Sequence, residues 1–123
     1  MEHLNEEVCA ALRTDLTIDI TTVGRHSGKP RRIEIWFLHI DGRIFITGTP
    51  RPRDWLANLQ AEPRFEFHLK ESIKADLRAT ATVVTDLEQR RTVLSHEVAS
   101  WYRGQAPLDE LIAQAPMVEV TFD

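Results

Sequence analysis

The chain has 123 residues, 42% of them hydrophobic, and a formal net charge of −4. That content supports one buried core and leaves too little length for two, so one domain over residues 1–123 is expected. A single cysteine, Cys9, excludes an intramolecular disulfide and a cysteine-based zinc cluster. The acidic, polar start is unlike a secretory signal, and no apolar run approaches membrane-spanning length, so a cytoplasmic protein is expected.

Leu4, Val8, Ala11 and Leu12 share one helical face, which predicts a short amphipathic helix over His3–Leu12 with Cys9 half-buried on it. Leu16–Val23 alternates and is rich in Thr and Ile, a strand signal, and Gly24–Pro30 follows as a turn. Arg31–Ile40 predicts one strand, apolar on both faces at its middle and therefore central in its sheet. Asp41-Gly42 is a hairpin signal leading into a strand over Arg43–Thr47. A helix over Pro52–Gln60 precedes strands at Arg64–Lys70 and Asp76–Val84. One long helix is expected over Asp86–Arg103, then a short helix and a last strand, Met117–Phe122. Six strands joined largely by turns predict a mainly β, α+β fold: a six-stranded antiparallel barrel decorated by helices.

Charge is unevenly placed. Gly24–Arg53 holds seven basic residues (Arg25, Lys29, Arg31, Arg32, Arg43, Arg51, Arg53) against Glu34 and Asp41, while the remainder carries eight basic and 17 acidic residues. A cationic patch on an acidic chain suits a compact anionic ligand better than nucleic acid. The turn Gly24-Arg25-His26-Ser27-Gly28-Lys29 supplies glycines, a hydroxyl and cations, the groups that grip phosphate, although a solvated basic turn is the plain alternative. If the first three strands form a meander, this turn lies at the same end as Gly48-Thr49-Pro50-Arg51-Pro52-Arg53 and the helix start beyond it, and Arg31 opens the second strand there. Trp55 either covers that site or anchors its helix. Trp101 and Tyr102 are expected in the core, with pocket lining as the second reading. No metal-ligand spacing is present among the five histidines, and no Ser-His-Asp set can be assembled.

The segment Thr21-Thr22-Val23-Gly24-Arg25-His26-Ser27-Gly28-Lys29-Pro30-Arg31 resembles the deazaflavin-dependent nitroreductase family, and Arg53-Asp54-Trp55-Leu56-Ala57-Asn58-Leu59 with Pro63-Arg64 resembles that family's second block. The resemblance runs from about Ile18 to the C-terminus. It implies a split β-barrel of the FMN-binding type, related to pyridoxine-phosphate oxidase, that binds coenzyme F420. By position, Arg25, His26, Ser27, Lys29 and Arg31 would hold the phosphate and glutamate tail, with Arg51 or Arg53 supplying the cation where Pro50 replaces a common lysine. Thr49 would bond near the phosphate or ring, Trp55 and Asn58 would line the groove, and Ile35 and Trp36 would lie by the ring. His26 stands where a lysine is usual, and Glu34 takes a usually apolar position near the expected ring.

The implied activity is hydride transfer from reduced F420 to a quinone, nitroaromatic or activated alkene, with Tyr102 as the residue orienting the acceptor or giving a proton. The alternatives are an FMN-binding oxidoreductase of the same fold, a non-catalytic deazaflavin carrier and, least favoured, a nucleic-acid module. A homodimer is also compatible with such a barrel.

Overall fold

The computed structural model describes residues 3–123. Asn5 caps helix α1 (Glu6–Thr14), its side-chain oxygen accepting from the Val8 N–H at 2.8 Å, and Val8, Ala11 and Leu12 turn inward. Strand β1 (Thr17–Val23) alternates as expected, burying Ile18, Ile20 and Thr22. Strand β2 (Pro30–Trp36) returns antiparallel beside it, with Arg31 opposite Thr22, Ile33 opposite Ile20 and Ile35 opposite Ile18.

The strand expected over Arg31–Ile40 is two strands, so the sheet has seven rather than six. Strand β3 (Leu38–Ile40) leaves β1 behind and pairs with β4 (Arg43–Thr47). Phe37 makes the bend. It is 2% exposed, its N–H still donates to the Leu16 carbonyl at 3.1 Å, and its ring meets Phe67 edge-on with centroids 5.4 Å apart. The remaining strands are β5 (Arg64–Leu69), β6 (Ala75–Val83) and β7 (Met117–Phe122), and the order across the sheet is β2-β1-β5-β6-β7-β4-β3, antiparallel throughout.

The first three expected strands are therefore not a meander. β2 and β3 are the two edges of one sheet yet follow each other in sequence, so the sheet curls into a half-barrel whose edges meet at Phe37. β2 is consequently an edge strand, not the doubly covered central one its apolar middle predicts, and Ile33 and Trp36 are 39% and 45% exposed. The doubly covered strand is β4, which sends Ile44 and Ile46 into an inner core and Phe45 into an outer one. The Asp41-Gly42 turn is as expected: both residues have positive φ, 50° and 80°, which suits the twist of the hairpin between β3 and β4.

Helix α2 (Asp54–Ala61) drops Trp55 and Leu59 into the inner core beside α1. The outer core is built by α3 (Leu87–Ser95), α4 (Ser100–Arg103) and α5 (Leu108–Gln114) against β3, β4 and β7. The single long helix expected over Asp86–Arg103 is broken at His96, which is extended and accepts the Val98 N–H on its Nδ1 at 3.2 Å. Arg103 folds back, its Nη1 donating to the Leu94 and His96 carbonyls at 2.7 Å each, so the break is satisfied by a side chain and followed by a short 3-10 turn, Glu97–Ala99. Arg90, 7% exposed, similarly donates to the carbonyls of Val84, Leu111, Ile112 and Ala115, tying α3 to the end of α5.

Candidate functional site

The edge position of β2 creates the site. Ile18 and Ile20 of β1 are fully buried, but of their partners on β2 Ile35 only packs against the edge of the inner core and Ile33 is 39% exposed, so the inward face of β2 becomes a cavity wall. Helix α2 forms the opposite wall, and Trp55 divides the space into two cavities that it lines in common.

The first cavity, about 510 Å³, is lined by Thr22, the turn residues Gly24, Arg25, His26 and Ser27, the β2 residues Arg31, Arg32 and Ile33, and Asp54, Trp55 and Asn58 of α2. The turn has one shape for local reasons. Gly24 N–H donates to the Lys29 carbonyl and Gly28 N–H to the Gly24 carbonyl, both at 2.8 Å, and Gly28 has φ +70°. A Cβ on Gly24 would come within 2.6 Å of Ser27 Oγ and 3.2 Å of the Lys29 carbonyl, so a larger residue there would have to turn the Ser27 hydroxyl away. Asn58 pins the turn to the helix. It is 5% exposed, its Oδ1 accepts from the Arg25 backbone N–H at 3.1 Å and from Arg25 Nη1 at 2.9 Å, and its Nδ2 donates to Thr22 Oγ1 at 3.3 Å. Asp54 adds an exposed ion pair to Arg25 at 3.2 Å, worth little on its own.

The second cavity, about 320 Å³, is lined by Ile35 and Trp36 of β2, by Thr47 at the end of β4 and Gly48, Thr49, Arg51 and Arg53 after it, and by Trp55, Trp101 and Tyr102. Trp36 and Trp101 meet edge-on with centroids 5.3 Å apart and stay half exposed, and Trp101 packs edge-on against Tyr102 at 5.2 Å. Burial raises the Tyr102 hydroxyl pKa above the ordinary phenol value, partly offset by the Arg53 charge, so the phenol holds its proton at neutral pH. Arg53 Nη2 donates to the Thr49 carbonyl at 3.0 Å and to Thr49 Oγ1 at 2.8 Å.

Of the residues singled out in the sequence, Arg25, His26, Ser27, Arg31, Trp55 and Asn58 meet at the first cavity, and Ile35, Trp36, Thr49, Arg51, Arg53, Trp55 and Tyr102 at the second. Lys29 lines neither; its backbone closes the turn, accepting from Gly24 and donating to Ser27 Oγ at 3.1 Å. Trp55 is both wall and core, at 7% exposure within the inner core. Trp101, expected inside, is 50% exposed, whereas Tyr102 is buried. Glu34 lines neither cavity: it shares the outer sheet face with its register partner Asp19, and both are ion-paired to Lys70. The cationic patch is also smaller than the sequence suggests, because Arg32 is paired with Asp19 at 3.0 Å and Arg43 with Glu119 at 2.7 Å. Ile33 was not singled out and Asp54 was given no role; strand register and helix phase place them at the first cavity.

A half-barrel carrying a cationic cavity that runs into an aromatic one is the frame of a small cofactor-binding oxidoreductase. The chain belongs to the F420H(2)-dependent quinone reductase family, whose model matches residues 2–110. It is therefore an F420-dependent oxidoreductase. Similar solved structures include an F420 reductase (19% identity, 98% of this chain and 96% of that one, TM-score 0.70) and an F420-H2 dependent reductase (18%, 87% and 95%, TM-score 0.60). A FAD-binding protein from Mesorhizobium loti is also similar (14%, 98% and 91%, TM-score 0.72). At these identities the likeness to solved structures establishes the fold alone.

Proposed function

We propose that the chain is a split barrel of the FMN-binding type that holds the anionic tail of F420 in the first cavity and presents its ring to an acceptor in the second. The observation that carries this reading is the pair of cavities sharing Trp55, cationic on one side and aromatic on the other. Reduced F420, when bound, supplies a hydride to an electron-poor acceptor such as a quinone, nitroaromatic or activated alkene.

The chain's own part is positioning. Arg31 has no ion-pair partner among the described residues and reaches the tail cavity from the strand edge. Arg25 is held there by Asn58, and the Ser27 hydroxyl keeps its proton to donate while its oxygen accepts from Lys29. Ile35, Trp36 and Trp55 exclude water from the ring, and Tyr102, protonated and buried at the far wall, gives a proton to the reduced acceptor. Among the described residues no carboxylate lines the second cavity, which suits an acceptor that becomes negative. Residues 3–123 act as one cofactor-binding unit working on small molecules in the cytoplasm, as a monomer or a homodimer, and not on nucleic acid.

The test is reoxidation of reduced F420 by a simple quinone and by a nitroaromatic, followed by the cofactor's visible absorbance. Turnover with both wild-type protein and quinone present supports the reading. Binding without turnover of any acceptor would make the chain a carrier, and turnover with reduced FMN but not with F420 would change the cofactor.

A further inference from the structure

Arg53 is the unusual residue of the second cavity. Its guanidinium rests on the bare Cα of Gly48, where a Cβ would lie 3.2 Å from Nη2 and 3.4 Å from both Cζ and Pro116 Cγ. Thr49 fixes Nη2 from two sides, yet Nε is buried with no hydrogen-bond partner among the described residues. No carboxylate forms an ion pair with Arg53 among those residues, and the neighbouring Arg51 adds a second positive charge to a cavity lined by no acid. Burial first, then Arg51, lowers the Arg53 pKa from its ordinary value, so the cation is held at a cost that an incoming anion would relieve. Facing it are two half-exposed indoles, which offer a surface to a planar ring.

We infer that Arg53 makes the second cavity selective for planar acceptors bearing an anionic oxygen, such as an ionised phenol or carboxylate on an electron-poor aromatic or quinone ring. The inference rests on the proposed function for the reaction but not for the binding preference. A five-donor guanidinium seated on Gly48 and oriented by Thr49 meets such an oxygen with a charge-assisted bond, while the indoles take the ring. In turnover the acceptor gains a hydride, one proton with two electrons, from the reduced cofactor, which is thereby oxidised, and the new oxyanion on the acceptor takes its proton from Tyr102 or solvent. Arg53 faces both the standing and the developing negative charge.

Calorimetric titration of the cofactor-free chain with para-nitrophenolate and with its neutral methyl ether, para-nitroanisole, reads the preference directly. Wild type is expected to bind the anion about tenfold more tightly or better, the scale of one charge-assisted hydrogen bond. Arg53→Met should abolish the preference, because it removes the cation and keeps an apolar side chain of similar length. Arg53→Lys, which keeps the cation without the Thr49 geometry, should retain a reduced preference and serves if the methionine variant does not fold. Equal binding of the two probes by wild type, or a preference that survives in Arg53→Met, would overturn the inference. Failure of F420 to bind wild type would strike the proposed function while leaving the probe preference to be read.

Discussion

Replacing Asn58 separates the stability of the site from its charge. The side chain accepts two bonds from Arg25 and donates one to Thr22 from a position 5% exposed. Asn58→Ala removes all of these and leaves the Thr22 hydroxyl and the Arg25 N–H to find new partners. At about 1 kcal/mol per bond the cost is about 3 kcal/mol, discounted little because the site is covered. For a domain of this size that is a fall in melting temperature of about 10 °C. Asn58→Asp keeps the acceptor for Arg25 and should melt close to wild type. It also places a negative charge in the tail cavity, and a like charge about 6 Å away at an effective dielectric near 20 costs about 2.8 kcal/mol, roughly a hundredfold loss of affinity for an anionic cofactor. Thermal melts and fluorescence titrations with F420 on both variants check this. Asn58→Asp binding F420 as tightly as wild type would refute the placement of the tail, and Asn58→Ala melting with wild type would refute the clamp.

Arg31→Ala should weaken F420 binding by roughly ten- to hundredfold, the worth of a charge-assisted bond of about 1.5 to 3 kcal/mol, while Lys29→Ala should stay within about twofold because Lys29 lies outside both cavities; titration of the two variants side by side compares them. Trp55→Ala should cost about 3 to 5 kcal/mol in denaturant unfolding and also weaken F420 binding, because the ring is core and cavity wall at once. Lys70, and then Arg32, hold the Asp19 carboxyl below its ordinary value against the opposing effect of burial. A depressed carboxylate pKa stabilises the fold above the unfolded value, and that stabilisation is lost as pH falls through the folded one. Lys70→Met should therefore unfold more readily near neutrality and lose less further stability between about pH 5 and about pH 2 than wild type, as read by unfolding at each pH.

Local signals made much of this legible from sequence. The alternation of Thr17–Val23, the Asp41-Gly42 hairpin, the helix carrying Trp55 and Asn58, and the terminal strand Met117–Phe122 all lie within a residue or two of their expected positions, because each is set by short-range pattern. The basic turn was recognisable because its glycines and cations sit together in the chain. What escaped was non-local. Phe37 looks like one more apolar residue in Ile35–Leu38, and only closure of the sheet onto Phe67 turns it into a bend. The break at His96 needs Arg103 to return to the Leu94 and His96 carbonyls, and once it occurs Trp101 faces outward and Tyr102 inward. Arg32 and Arg43 read as ligand-binding cations until strand register supplies Asp19 and Glu119. Asn58 was placed in the groove, but its service as the clamp on Arg25 depends on the contact between turn and helix.

The central claim is that one cofactor lies across both cavities past Trp55. A crystal structure of the chain with F420 bound tests it most directly. The account predicts tail oxygens within hydrogen-bond distance of Arg31 and Arg25, with the ring beyond Trp55 against Ile35 and Trp36. A tail gripped instead by Arg51 and Arg53, with the first cavity open to solvent, would contradict it.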